Sequence, residues 1–214
     1  MASSDNQQAE HIIQVAARLI SALGYDSTST QQIAEAAGVQ PSVIQELFGG
    51  RQGLYVAVMK DAFERERVAL DALLDDLHCD DPADCARAIH LLIDRQIDFT
   101  ARHPYISALR THRWLADAIH VDEIETRYTV PLLRAVLEAF EPAMAAGHLS
   151  RDADLKYTLY FTNWCIQAFV LGGVLDDTGT TVTSADEGAW RLFRLRLHQM
   201  VHRNLLLPGD YSPP

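Results

Sequence analysis

The sequence lacks the features that mark secreted, membrane-spanning and disulfide-stabilised proteins. It has no stretch of about 20 apolar residues, which excludes a transmembrane helix. The first residues, MASSDNQQAEH, lack a basic segment followed by an apolar run, so we expect no secretory signal. Three cysteines, Cys79, Cys85 and Cys165, are too few for a disulfide framework. We therefore predict a cytoplasmic protein with no membrane partner.

Positive charge is also scarce. The 214 residues include 18 lysines and arginines against 29 aspartates and glutamates, and the formal net charge is −11. Residues 1–60 contain only three basic side chains, those of Arg18, Arg51 and Lys60. The hydrophobic content of 48% is nevertheless ample for a buried core, in one large or two small domains.

The first 60 residues contain many local signals that begin or end helices. Ile12, Ala16, Leu19, Ile20 and Leu23 recur at helical spacing, and Gly24 follows as a C-cap.

A second helix, Thr30–Ala37, is predicted by a capping box of Ser29 and Gln32, and Gly38 ends it. Pro41 suits the first position of a third helix that reaches Phe48 before a Gly-Gly turn. Two short helices joined by a tight glycine turn are typical of a helix-turn-helix, which places one helix in a DNA major groove.

The rest of the chain also favours helices, and no segment alternates convincingly as a strand would. The predicted helices are Gln52–Leu77, Pro82–Arg102, Pro104–Ala118, most of Val121–Ala146, Leu155–Leu175 and Glu187–Leu206. We predict an all-α protein with a helix-turn-helix domain at residues 1–51 and a helical bundle at residues 52–214. Leu155–Leu175 is apolar almost all round, so it needs cover on two sides. A second subunit could provide one of them, and a monomeric bundle is the alternative.

The spacing of Ile33-Ala34, Ala37-Gly38-Val39, Phe48 and Leu54 resembles the DNA-binding domain of the tetracycline-repressor (TetR) family. The segment from Ala146 to Asp154, with the long apolar helix after it, resembles that family's C-terminal region more loosely. The resemblance implies an all-helical homodimer that binds a DNA operator. It also implies a small-molecule pocket in the C-terminal domain and dimerisation through Leu155–Leu175 and Glu187–Leu206.

The resemblance also implies a set of DNA-contacting positions. They are Ser29, Thr30, Gln40, Pro41, Ser42, Val43, Gln45, Glu46 and Arg51. Pro41 stands where the family often has lysine, and Gln45 where it has a phosphate-binding tyrosine. Because phosphate neutralisation supplies most nonspecific affinity, we expect weak or salt-sensitive binding, or an operator read mainly through apolar and amide contacts. The alternative is that the helix-turn-helix is retained only as a folded bundle.

An effector site is predicted from aromatic and polar side chains of the middle and late helices. The candidates are Phe99, Tyr105, His112, Trp114, Tyr128, Phe161, Trp164 and Cys165. Such a set suits an apolar or aromatic ligand with one or two polar contacts. Ordinary core packing is the alternative for each of these residues.

The acidic segment around Cys79 and Cys85 invites two other interpretations. His78, Cys79, Asp81, Asp84 and Cys85 are metal-ligand types, but their spacing matches no zinc pattern, so we favour a solvated loop. A Cys79–Cys85 redox switch is a further alternative.

No nucleophile elbow, phosphate loop or catalytic carboxylate pair is visible, and we expect neither an enzyme nor a cofactor. The sequence thus predicts a ligand-responsive transcriptional repressor that a small apolar or aromatic effector releases from DNA. A helical small-molecule binding protein of the same fold, with weak or lost DNA binding, is the alternative.

Overall fold

The structure, a computed structural model, describes residues 2–115, 125–150 and 152–211, with side chains from Asn6 onward and none for Glu125. It confirms the all-α prediction. Two compact units form, which we call the N-terminal unit (Met1–Arg67 with Tyr105–Val130) and the C-terminal unit (Val68–Pro104 with Pro131–Pro214). The predicted domain boundary between residues 51 and 52 falls inside the N-terminal unit. Among the described residues, no helix is long and apolar enough to cross a bilayer.

The N-terminal unit begins with the predicted helix-turn-helix. Its helices are α1 (Ala2–Leu23), α2 (Thr30–Ala37), α3 (Pro41–Phe48) and most of α4 (Arg51–Leu74), followed later by α6 (Pro104–Trp114) and a π-helix (Glu125–Thr129). The amphipathic face of α1 buries Ile12, Ala16 and Ile20. The predicted end of α6 at Ala118 and the start of the next helix at Val121 lie outside the described residues.

The caps around α2 and α3 are those predicted. The Ser29 hydroxyl accepts the Gln32 amide N–H at 3.2 Å, and the Gln32 side-chain oxygen accepts the Ser29 amide N–H at 2.8 Å. Gly38 ends α2 in the left-handed conformation, with φ of 69°. This turn brings α3 across α2, and Ile44 is fully buried beneath it.

The junction between α3 and α4 depends on Gly53. A Cβ atom at this position would lie 1.8 Å from the Phe48 carbonyl oxygen, so only glycine fits. Leu54, Tyr55 and Val58 follow on α4 and are buried. The close approach fixes the angle at which α4 leaves the helix-turn-helix.

The C-terminal unit is a helical bundle. It contains α5 (Pro82–Arg102), α7 (Val130–Ala146), α8 (Leu155–Gly172) and α9 (Glu187–Asn204). Apolar residues from all of them form one core, including Ile93, Phe140, Ile166 and Val201. Helix α8 packs against both α5 and α9, so one of its faces is covered by the unit's own core.

Some predicted boundaries were wrong. Helix α4 ends at Leu74 rather than Leu77, and α9 ends at Asn204 rather than Leu206. Helix α8 stops at Gly172 rather than Leu175.

A short antiparallel hairpin follows α8, in which Val174 pairs with Val182 and Leu175 with Thr181, whereas we predicted a helix through Leu175 and no strand. The Asp176 carboxylate accepts the amide N–H groups of Thr178 and Thr180 and so closes the turn.

The segment between α4 and α5 is organised by a cap and a disulfide. Cys79 and Cys85 are joined, which was an alternative at the sequence level. The Asp81 carboxylate accepts the Asp84 amide N–H at 2.7 Å and caps α5, and this backbone hydrogen bond holds the pKa of Asp81 below its usual range. Across the described parts of the chain, no group of three histidine, cysteine or acidic side chains could hold a metal ion.

Candidate DNA interface and effector site

Helix α3 presents an uncharged to acidic surface. Its core side is anchored by Ile44, while Ser42, Gln45 and Glu46 are exposed. Of the other predicted contact residues, Ser29 and Gln40 are exposed, and Thr30, Pro41, Val43 and Arg51 are half-buried. No residue of α3 is basic. The geometry therefore offers amide, carboxylate and apolar groups to a DNA groove, but no cation from the helix itself.

The Ser29 hydroxyl is already engaged within the capping box. Besides accepting from the Gln32 amide, it donates to the Gln32 side-chain oxygen at 2.9 Å. A phosphate contact by this hydroxyl as donor would break that bond. The N-terminus of α2, with its positive dipole end, is then the more available anchor for a phosphate at this place.

Arg51 is held by two partners that the sequence did not indicate. Its guanidinium lies 4.0 Å from the centroid of the Tyr25 ring, and 3.6 Å separate its Nη2 from the Asp26 carboxylate. Tyr25 in turn packs on Tyr55, with centroids 4.7 Å apart. These contacts orient Arg51, and the exposed Asp26 offsets part of its charge. The pairing was missed because Tyr25 and Asp26 belong to the α1–α2 loop, 25 or more positions away.

The predicted effector residues divide between the two units. Tyr105, His112, Trp114 and Tyr128 belong to the N-terminal unit, and Phe99, Phe161, Trp164 and Cys165 to the C-terminal unit. His112 donates from Nε2 to the Ser21 carbonyl at 3.2 Å, and half of Trp114 is exposed.

Burial raises the pKa of Tyr105, which keeps this half-buried phenol neutral.

Tyr128 belongs to a cluster whose other members sequence analysis missed. Its ring stacks on Phe63 at 5.6 Å, and the Arg110 guanidinium lies 5.0 Å from the Phe63 centroid. Arg110 also forms a largely buried ion pair with Glu66. A buried arginine needs such a partner because an isolated charge is costly inside a protein. The amphipathic spacing on α4 could have indicated Phe63, but nothing local pairs residues 66 and 110.

In the C-terminal unit, Phe161 and Trp164 point away from the core. They are 47% and 45% exposed, and their ring centroids lie 5.8 Å apart. They continue an exposed stripe along α8, which we call the α8 stripe and which comprises Tyr157, Phe161, Trp164, Ala168 and Leu171. Phe99, by contrast, is buried against His103, and burial raises the pKa of the Cys165 thiol.

An open groove of about 400 Å³ lies on the C-terminal unit. It is lined by Asp98, Ala101, Arg102, Ser184 and Trp190, and the predicted effector residues within the described ranges are not among them. That the aromatic candidates bind an effector therefore stays a prediction.

Comparison with known proteins agrees with this architecture. Residues 12–58 match the family model described as bacterial regulatory proteins, tetR family. No curated protein sequence matches the chain significantly.

Several solved structures share the fold. GusR of Salmonella enterica is 19% identical, with a TM-score of 0.67 and coverage of 94% of this chain and 96% of its own. AibR, in complex with isovaleryl coenzyme A and operator DNA, is 16% identical, with a TM-score of 0.67 and coverage of 94% and 99%. KstR2 of Mycobacterium tuberculosis, a ketosteroid transcriptional regulator, is 14% identical, with a TM-score of 0.64 and coverage of 91% and 93%. The similarity therefore extends over both units.

Proposed function

We propose that this chain, which belongs to the TetR family of regulators by its N-terminal domain and its fold, is a ligand-responsive transcriptional regulator. The observation that carries the proposal is the capped helix-turn-helix, in which buried Ile44 fixes α3 with its Gln45 and Glu46 side chains in solvent. A protein needs a rigid, exposed helix of this kind to enter a major groove. We expect it to act in the cytoplasm.

We infer that the operator is read by amide, carboxylate and apolar groups of α3. Gln45 can pair with adenine, Glu46 can accept from cytosine N4, and Val43 can contact a thymine methyl group. Arg51 supplies the main phosphate contact, with about one to three such contacts per subunit in all. The affinity should therefore be modest, and it should depend on base sequence more than on net charge.

We infer further that two copies bind together through α8 and α9. The α8 stripe is exposed, and Leu192 and Met200 of α9 are 53% and 41% exposed. Burying these apolar side chains against a second copy would stabilise a dimer. A dimer would set two α3 helices one DNA turn apart, roughly 34–36 Å.

We propose repression relieved by a small apolar or aromatic effector as the mode of action. The support comes from the aromatic side chains of both units and from two proteins of the same fold. AibR is described with isovaleryl coenzyme A and operator DNA, and KstR2 as a ketosteroid regulator. The isovaleryl group and the steroid skeleton that these descriptions name are both apolar.

The direct test is an electrophoretic mobility shift at low salt with DNA from upstream of the protein's own gene. We expect a shift with wild type and a weaker one with Arg51→Ala, since the main phosphate contact is lost. Arg95→Ala is the matched control, because Arg95 is exposed on α5, outside the helix-turn-helix and the proposed dimer helices, and should not affect DNA binding. If a correctly folded dimer gives no shift at low salt, the regulator proposal fails.

A second candidate function is a binding protein of this fold without a working DNA site. The pairing of Arg51 with Asp26 and the lack of basic residues in α3 favour it. It predicts effector binding, measured by calorimetry against a panel of apolar and aromatic acids, with no sequence-dependent DNA shift in any variant.

A further inference from the structure

Three histidines of the C-terminal unit form a continuous line of hydrogen bonds. His198 Nε2 lies 3.0 Å from the Asp94 carboxylate, and His198 Nδ1 lies 2.8 Å from His90 Nδ1. His90 Nε2 lies 3.0 Å from His202 Nδ1, and His202 Nε2 lies 2.8 Å from the Gly209 carbonyl oxygen. We call His90, His198 and His202 the histidine chain. It joins α5 and α9 to the segment after α9.

The number of protons in this chain follows from its two ends. A carboxylate and a carbonyl can only accept, so each of the four hydrogen bonds needs a ring N–H. Three neutral imidazoles carry only three N–H groups between them. The fully bonded chain therefore holds one additional proton, whose charge balances that of Asp94.

We propose that the histidine chain is a proton-binding site, and that the single shared proton fastens the C-terminal segment, Leu207 to Tyr211, to α5 and α9. With one extra proton, all four bonds form whichever imidazole carries the charge. Without the extra proton, one of the four hydrogen bonds has no N–H group, and two lone pairs face each other there. With a second extra proton, two N–H groups face each other instead. In both cases one link between Asp94 and Gly209 is lost.

The surroundings of the histidine chain favour one charge, and two of its three rings are buried while that of His90 is half-buried. His198 is fully buried, and His202 is 7% exposed. Charged neighbours are Asp94 and Asp98 on α5 and Arg194 on α9, whose Nε lies 3.3 Å from the Asp94 carboxylate and which also pairs with Asp98.

Tyr211, in the segment after α9, covers the histidine chain. Its ring centroid lies 4.4 Å from that of His90 and 4.9 Å from that of His198. Helix α8 contributes neutral groups to its contacts with the two helices of the histidine chain. The Thr158 hydroxyl accepts from Asn204 of α9, and the Asn163 side-chain oxygen accepts from Gln96 of α5.

The pKa shifts agree with this arrangement. Burial, together with the charges of His198 and His202, lowers the pKa of His90 from 6.5 to about 4. Burial alone would raise the pKa of Asp94, but the His198 hydrogen bond and the charges of His198 and Arg194 bring it below its usual range. Asp94 is therefore ionised and His90 neutral at neutral pH.

The sign of the acid response follows from His90. The pKa of His90 in the folded protein lies below its value in the unfolded protein. The form in which the histidine chain is open therefore binds protons more readily than the closed form. The contribution of His90 to the closed form is fully present above pH 6.5 and is lost as the pH falls toward about 4. Above neutrality, loss of the shared proton also opens the histidine chain, because one of its four hydrogen bonds then lacks an N–H group.

The test uses the full-length protein labelled with 15N-histidine and 13C-tyrosine. At neutral pH we expect NMR to show four slowly exchanging ring N–H signals from the histidine chain in wild type. Asp94→Asn should show three, because the asparagine amide can donate to His198 Nε2 and three neutral imidazoles then complete all four bonds. His78→Gln, at an exposed histidine outside the chain, is the control and should keep four.

The second readout is the Tyr211 ring resonance, which reports whether the C-terminal segment is docked. In wild type it should shift toward its free position both below about pH 4 and above neutrality. In Asp94→Asn the shift above neutrality should disappear, since no extra proton is needed. Three ring N–H signals in wild type at neutral pH, or the same alkaline shift in both proteins, would overturn the proposal. The wild-type signal count decides the matter even if the variant folds poorly.

Discussion

Arg51 shows how much one side chain decides at the proposed DNA-binding surface of the N-terminal unit. Between Leu19 and Met59 the sequence has no other lysine or arginine. The guanidinium rests on Tyr25 and is 3.6 Å from Asp26, whose side chain is 67% exposed. An exposed ion pair of this kind contributes little to stability, so its main effect is on the local charge that a phosphate meets.

We therefore predict that Asp26→Asn strengthens operator binding, in the opposite direction from Arg51→Ala. Removing the carboxylate frees the guanidinium for phosphate, and the salt dependence of log Kd should steepen by up to about one unit per subunit. Fluorescence anisotropy across a salt series measures both affinity and slope. Asp76→Asn, a neutralised acid after α4, should change neither. Equal affinity of Asp26→Asn and wild type at every salt concentration would show that Asp26 does not restrain Arg51.

At the scale of elements, the helices are bounded where the sequence has strong local signals. Helices α2, α3 and α5 begin and end at the predicted residues, because Ser29, Gly38, Pro41 and Pro82 act on their immediate neighbours. The predicted end of α8 at Leu175 was wrong because the apolar pattern of the sequence continues to that residue. Gly173 instead brings its backbone against Val182, where a Cβ would lie 2.2 Å from the carbonyl oxygen. Cross-strand contact of this kind leaves no trace in helical periodicity.

The close contact at Gly53 gives a sharp test of the α3–α4 junction. We predict that Gly53→Ala lowers the free energy of unfolding by about 2 kcal/mol or more, because the new Cβ must displace the Phe48 carbonyl. Gly172→Ala is the matched control, since a Cβ there meets nothing within 4 Å, and it should be neutral or slightly stabilising. Urea denaturation followed by circular dichroism measures both variants. Equal stabilities of the two variants would contradict the tight junction.

At the scale of the whole molecule, the exposed apolar face of α8 is the surface on which we propose that a second copy binds. The sequence predicted that this helix needs cover on two sides, and the structure covers one side with the unit's own core. The α8 stripe on its other side is exposed. Contiguous exposed apolar patches of this kind mark interaction surfaces in folded proteins.

We predict that Trp164→Glu converts the dimer to a monomer, because it places a charge at the centre of the α8 stripe. Light scattering at micromolar concentration should give the mass of one chain, 23.9 kDa, instead of two. Operator affinity should fall with it, since two linked α3 helices bind more tightly than one. Val68→Glu replaces another exposed apolar residue and should leave the dimer intact. A wild-type protein that is already monomeric would exclude the proposed interface.

The sequence by itself determined the helical architecture and the helix-turn-helix, because caps, turns and apolar spacing act over a few residues. It also carried the charge deficit of α3. Only the tertiary structure decided which distant groups meet: Arg51 with Tyr25, Arg110 with Glu66, and His90 with His198 across 108 positions. Such pairings depend on how helices pack against one another, and single histidines or arginines at unremarkable positions give no local sign of them. For the same reason, the aromatic residues proposed for an effector could be named from sequence but not assembled into one site.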